Sequence, residues 1–460
     1  MKEGLNRRKF IKTTAAAGAG LMFAPNILTN TAKGKGDDLN VAILGVGAQG
    51  EVLMNSVLNR IPNIRFKAVC DIWDYNRIRI SRYLKKCGHE NNAYIDFEEM
   101  LANEKDLDAV IVATPDFWHS PHTVACLRAG LNVYCEKEMS NTLEGARKMV
   151  EAQKETGKLL QIGHQRRSNP RYIHCLDKLL GEANILGQIT TVNGQWNRGA
   201  KDDLSAPPKL EIPKETLKKY GFKSMHQFRN WRWFKGLGGG PIVDLGSHQI
   251  DVYNWFLGTN PAAVSASGGT DFYDKETHEW YDGVMAIYEY KTKQGTVRAF
   301  YQTLTTNSNQ GYFESFMGNE GTLIISEASS RGAAYPENIQ AAANEKDGKK
   351  KGEKSWMKWV NARYINEPDK QACPSPNKKS EADFDVRESP TPPAYEITAS
   401  LGEKKYHEPH LKNFFDSIRG KAELNCPVEI GYESAVSVLK VNEAVEAGRK
   451  LEFKPEEFIA

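Results

Sequence analysis

The chain has 460 residues, 40% of them hydrophobic and 26% charged, an ordinary globular composition with length for two or three domains. Its formal net charge of +3 is too small to suggest nucleic-acid binding by charge, and no apolar run reaches the roughly 18 residues of a membrane span. Seven cysteines, at 70, 87, 126, 135, 175, 373 and 426, form neither CxxC pairs nor an even set, so buried free thiols are expected and no metal site.

The first residues, "NRRKFIKTTAAAGAG", place Arg7 and Arg8 before a short Ala/Gly-rich apolar segment. That layout resembles the twin-arginine export signal, whose machinery moves proteins already folded. Residues 1–36 are therefore expected to be a signal and linker, and the protein to reside in the periplasm. Paired arginines on a basic amphipathic helix are the competing reading.

From Leu39 the pattern alternates strand and helix: "NVAILGV", "EVLMNSVLNRI", "FKAVCD", then "LDAVIVATP", "HTVACLRAG", "NVYCEK" and "KLLQIGH". This predicts a parallel sheet covered on both faces over 37–160. "LGVGAQG" sets Gly45, Gly47 and Gly50 between the first strand and its helix, with Gln49 beside them. Glycine lets the backbone turn tightly and approach a pyrophosphate at a helix N-terminus. Asp71 follows about twenty residues further on, where a carboxylate accepts from the adenosine ribose and repels a 2′-phosphate, so the expected cofactor is NAD. Thr114 and Pro115 close the next strand, and His119 is either a cofactor contact or a packing residue at the start of a helix.

Beyond about residue 186, "QITTVNGQWNRG", "AAVSASGGTDFY", "YDGVMAIYEYK", "GTVRAFYQT" and "GTLIISE" predict an open, largely antiparallel sheet. Residues 161–460 are read as one α+β substrate domain, with 328–405 a long insertion of little regular structure and 406–460 closing helices. Trp196, Arg198, Trp231, Arg232 and Trp233 could form a sugar platform with hydrogen-bonding guanidiniums, or pack in the interior. Asp244 and His248, four apart, share one face if helical, and a histidine there suits a general base taking a hydroxyl proton.

With "GVGAQG", "TPDFWHSPH", "AGLNVYCEKE" and "GGGPIVDLGSHQIDVYNWF", the chain resembles the glucose–fructose oxidoreductase / inositol dehydrogenase (Gfo/Idh/MocA) family over Leu39 to about Glu327 and again over 407–455. The resemblance implies a Rossmann nucleotide-binding domain joined to the α+β domain. It also implies NAD-dependent oxidation or reduction of a secondary hydroxyl of a sugar or glycoside, and a homo-oligomer. The family's Glu-Lys-Pro motif stands here as Glu136-Lys137-Glu138, and its Asp-x-x-x-His pattern as Asp244 and His248. By family position Gln165 or His164 serves the nicotinamide side and Arg166 the substrate. An NAD-dependent glycosidase or lyase working by transient oxidation would use the same residues. A catalytically inactive sugar-binding protein is the third reading. If export follows folding, NAD travels inside the protein and is recycled in place.

Overall fold

In the segment LNVAIL only Asn40 is polar, and a strand so apolar on both faces needs helices on both sides. The computed structural model, which describes residues 37–58, 60–328, 330–337, 351–368, 392–399 and 406–460, supplies them. The arginine pair, the linker up to residue 36, Cys373 and most of the Lys- and Pro-rich stretch beyond residue 337 lie outside the described residues. Strands β1 (Leu39–Leu44), β2 (Ile64–Cys70), β3 (Asn92–Tyr94), β4 (Ala109–Val112), β5 (Asn132–Cys135) and β6 (Leu160–Ile162) form one parallel sheet. Its order is β3-β2-β1-β4-β5-β6, so the chain reverses direction between β1 and β4 and opens a crevice at their carboxyl ends.

Five helices cross over between these strands: α1 (Ala48–Leu58), α2 (Asp74–Lys86), α3 (Phe97–Asn103), α4 (Asp116–Arg128) and α5 (Leu143–Thr156). Their ends follow local chemistry. The Asp96 carboxylate accepts from the Glu98 N–H at 2.9 Å to start α3, and Thr142 accepts from Gly145 to start α5. The last turn of α5 stops at Gly157, φ +65°.

The second sheet holds nine strands: β7 (Ile189–Asn197), β8 (Pro261–Gly269), β9 (Gly283–Thr292), β10 (Gly295–Leu304), β11 (Tyr312–Gly318), β12 (Gly321–Ile325), β13 (Gly332–Pro336), β14 (Tyr395–Glu396) and β15 (Leu451–Glu452). All neighbours are antiparallel except β7 and β10. Along β10 the side chains of Val297, Ala299 and Tyr301 point inward, onto the helices Ser247–Leu257 and Val428–Ala447. Two hydrogen bonds pin this layer, Tyr253 Oη to the Phe300 carbonyl at 2.9 Å and Tyr288 Oη to the Ser437 carbonyl at 3.0 Å.

Two features differ from the sequence reading. The stretch 328–405 is not irregular throughout: it adds β13 and β14 to the sheet and a helix, Lys351–Asn361, whose Trp356 is buried against Tyr395. Its short apolar patches are diluted by lysine and proline in any window average. The closing helix Glu408–Ile418 leaves the second domain and docks on the first, where Leu411, Phe414 and Phe415 are fully buried among Val41, Phe66 and Tyr134. Nothing in the local pattern of that helix says which sheet it covers. The six described cysteines are free, five of them buried. No helix among the described residues is long and apolar enough to cross a membrane.

Because Phe414 fills the first domain's core from the far end of the chain, Phe414→Ala should cost about 3–5 kcal/mol. Denaturant unfolding of the full chain measures it. A loss below about 1 kcal/mol would place the helix outside that core.

Candidate functional site

The crevice at the carboxyl ends of β1 and β4 opens into a cavity of about 560 Å³ that runs on to the second sheet. At one end lies the glycine turn. Gly45 has φ +81°, and a Cβ there would stand 2.6 Å from the Ala113 carbonyl oxygen. A Cβ on Gly50 would meet the Gly45 oxygen at 2.0 Å, so this glycine lets α1 close onto the turn. Gly47 is different: its missing Cβ would touch nothing, because the position faces the open cavity. A pyrophosphate fits this cradle, with its charge toward the start of α1. Asp71 closes the turn from β2, accepting from the Val46 N–H at 2.9 Å and the Trp73 N–H at 2.8 Å. Burial raises its pKa while those two donors oppose the rise. Each oxygen keeps a lone pair for a ribose hydroxyl.

The middle of the cavity is ordered by histidines. Thr114 Oγ1 sits 3.1 Å from His122 Nδ1, and Pro115 precedes α4. His119 is buried and donates from Nδ1 to the Glu138 carbonyl at 2.7 Å, while burial pulls its pKa down to about 4. A neutral, fixed ring results, at once a cavity wall and a brace for the turn after β5.

That turn carries Glu136, Lys137 and Glu138, with the Lys137–Glu138 peptide cis. Glu136 Oε1 accepts from Gln49 at 3.2 Å. Glu138 points away from the cavity: it is buried, accepts from the Met139 N–H at 2.8 Å, and burial pushes its pKa up to about 8. Lys137 crosses to the second domain, donating from Nζ to the Asp244 carbonyl and lying 3.9 Å from its carboxylate.

Asp244 lies in a widened helical turn, Ile242–Gly246, that runs directly into the helix bearing His248, so both face the cavity. Burial would raise the Asp244 pKa, but Arg232 (Nε at 3.0 Å), Lys137 and Arg198 (3.7 Å) hold it well below the usual carboxylate range. His248 is driven the other way. Burial first, then the charges of Lys137 and Arg166, depress its pKa far below that of a free histidine. Its ring leans on Trp196 at 5.2 Å, and Trp196 stacks on Tyr312 at 4.5 Å.

The structure thus brings together on one wall Lys137, Asp244, His248, Trp196, Arg198, Trp231, Arg232 and Gln165, the last donating to Glu327 at 3.3 Å. It does not bring Arg166 there. That side chain is 1% exposed and its guanidinium is held by Glu314 and by Glu327 at 3.0 Å, inside the second domain. His164 is likewise buried, 4.0 Å from Asp251. Trp233 packs on His278 at 4.5 Å, away from the cavity. Among the wall residues that escaped the sequence reading are Asp116, His407 and Tyr312. Asp116 follows the Thr114–Pro115 turn, a strand-end signal that could have found it. His407, 3.4 Å from Gln49, arrives from a segment no local pattern ties to the glycine turn.

The sequence profile of an oxidoreductase family with an NAD-binding Rossmann fold matches residues 39–164, and that of the same family's C-terminal alpha/beta domain matches 182–453. Among similar proteins are the scyllo-inositol 2-dehydrogenase (NADP(+)) of Bacillus subtilis, 29% identical over 54% of this chain and 59% of that one, and the 1,5-anhydro-D-fructose reductase of Ensifer adhaerens, 30% identical over 49% and 59%. The matched region spans less than two thirds of these relatives' length. Among solved structures, the WlbA dehydrogenase of Chromobacterium violaceum with NADH and UDP-GlcNAcA superposes over 92% of this chain and 97% of its own, with TM-score 0.63 at 17% identity, a likeness of fold.

Two outcomes follow from this geometry. Gly47→Ala should leave the melting temperature of the cofactor-free chain unchanged and weaken NAD binding about tenfold or more, read by calorimetry, because the new methyl enters only the cradle. Asp116 is buried and its pKa is pushed up to about 7, burial first, Arg232 and Lys137 opposing and Asp244 adding. The unfolded chain therefore gives up this proton near pH 4 and the folded chain only near 7, so the residue's contribution to stability falls as pH rises through that window. Asp116→Asn should match wild type at pH 4 and melt higher at pH 8; an equal difference at both pH values would contradict this.

Proposed function

The chain belongs to the Gfo/Idh/MocA oxidoreductase family, and from that premise we propose that it is an NAD-dependent dehydrogenase acting on a secondary hydroxyl of a sugar or glycoside. The observation that carries this reading is the meeting of Lys137, Asp244 and His248 on the wall of the cavity that also takes in Gly47. NAD, when bound, supplies the hydride acceptor. Every other requirement falls to side chains. Asp71 takes the ribose hydroxyls and Gly47 leaves room for the pyrophosphate. Trp196 and Trp231 offer ring faces to the C–H side of a pyranose.

His248 is neutral throughout the physiological range, so its ring is ready to take the hydroxyl proton. Lys137 stabilises the alkoxide as it develops. Asp244, held ionised by its three cations, accepts from a neighbouring hydroxyl and fixes which carbon is presented. The relatives' names speak for redox chemistry over the elimination and inert-binding readings.

Arg7 and Arg8 support export by the twin-arginine route into the periplasm, with NAD carried inside the folded chain. Away from a soluble cofactor pool the cofactor is resident and regenerated in place by a second substrate. Met285 and Ile287, half-exposed on the outward side of β9, support a homo-oligomer built on that sheet.

The test is a panel of polyols, aldoses and glycosides offered to purified full-length protein, with the absorbance of bound NADH formed in one turnover as the signal. Lys137→Ala and His248→Ala should each slow that single turnover about 10²–10⁴-fold on any substrate found, without loss of bound NAD. Variants as active as wild type would remove both residues from the chemistry.

A further inference from the structure

The cavity is roofed at the end where Asp71 lies. Between β7 and the turn holding Asp244, the chain runs out from the second domain and lies over the first as the segment Leu204–Leu237. The segment is tied into a loop of its own: the Leu204 N–H donates to Asn230 Oδ1 at 2.8 Å, and Asn230 Nδ2 donates back to the Leu204 carbonyl at 2.9 Å. Its Ile212, Leu217, Tyr220, Phe222 and Phe234 bury themselves with Trp73 of the first domain in a third apolar cluster, separate from both domain cores.

This loop is fastened on both banks of the crevice. On the β2 side, Trp73 Nε1 donates to the Leu210 carbonyl at 2.6 Å. On the β4 side, Trp118 Nε1 donates to the Tyr220 carbonyl at 3.1 Å, and the Phe117 N–H to the Leu237 carbonyl at 3.3 Å. A third fastening holds the edge, where Asp96 accepts from Lys219 at 2.7 Å and from the Tyr220 hydroxyl at 3.1 Å. Strands β2 and β4 flank β1, so the loop spans the place where a Rossmann fold seats adenosine. Tyr220, Phe222 and Phe228 line the same cavity as Asp71 and Gly47. Arg229 lines it too, its guanidinium 4.8 Å from the Trp73 ring and its Nε buried without a partner among the described residues.

We infer that Leu204–Leu237 is a cofactor clamp: Tyr220, Phe222, Phe228 and Arg229 close over the adenosine of NAD, and release requires the loop to lift from both banks. The inference rests on the reading of NAD as a resident group and names the residues that make it so. Neighbouring aromatic faces suit a purine, and a guanidinium over an indole gives it a further flat, cationic surface.

The experiment is label exchange on the full-length protein. The chain is loaded with radiolabelled NAD, passed through gel filtration, and chased with excess unlabelled NAD. Wild type is expected to keep its label through the column. Tyr220→Ala should release it about tenfold faster or more, the scale of one lost base–aromatic stack. Lys219→Ala/Tyr220→Phe, which cuts only the Asp96 fastening and keeps the ring, should release it several-fold faster with the cofactor-free melting temperature held. If Tyr220→Ala does not fold, that second variant decides by the same criterion. Exchange of wild type on the column would defeat both the resident cofactor and the clamp. Slow release from wild type and from every folded variant alike would defeat the clamp alone.

Discussion

The contact at the centre of the site links its two halves: the ammonium of Lys137, at the end of β5, reaches the carbonyl and carboxylate of Asp244 in the second domain. Each domain alone holds half a machine. The first has the glycine turn and Asp71, the second has His248 and the tryptophans. Lys137 fixes their distance, because a long flexible side chain is held at its tip by a neighbour across the cleft. His119 bracing the Glu138 carbonyl, and Gln49 holding Glu136, are what keep the lysine's own backbone in place.

The charges around this contact are arranged in series. Two unit charges about 4 Å apart in a protein-like dielectric interact by about 4 kcal/mol, enough to override the cost of burying one carboxylate among three cations. Asp244 accordingly stays ionised. His248, kept from charging first by its burial and then by the field of Lys137 and Arg166, stays neutral. The buried Arg166 matters here despite lying off the wall. Its charge reaches His248 from behind while Glu314 and Glu327 keep it from being an isolated cation. Its place in the sequence suggested a hand on the substrate; its burial makes it a background field.

Much of this was legible before any coordinates. Strand-end motifs are short and local: the glycines, Asp71, Thr114, Lys137 and the Asp244–His248 spacing each sit where a strand or helix must deliver them. What the sequence hid was long-range. No local rule says that the helix carrying Phe414 covers the first sheet, that His407 closes on Gln49, or that Arg166 meets Glu314 across the second domain's interior. The tryptophans show the same limit. Composition marked Trp196, Trp231 and Trp233 alike, yet only tertiary packing decides that the first two face the cavity and the third a histidine. Lysine and proline around Trp356 concealed an edge strand and a helix for a further reason, since burial there depends on a few residues in a polar run.

The proline-to-glutamate change at position 138 belongs to the same logic. An exposed carboxyl there would pair with the ammonium of the lysine beside it. Instead Glu138 turns inward, where burial favours its neutral form and the Met139 N–H takes one oxygen. A buried, neutral acid adds little field at Lys137, so the glutamate leaves the contact with Asp244 in place. Burial neutralises the carboxyl at this position, and the lysine still reaches Asp244 across the cleft.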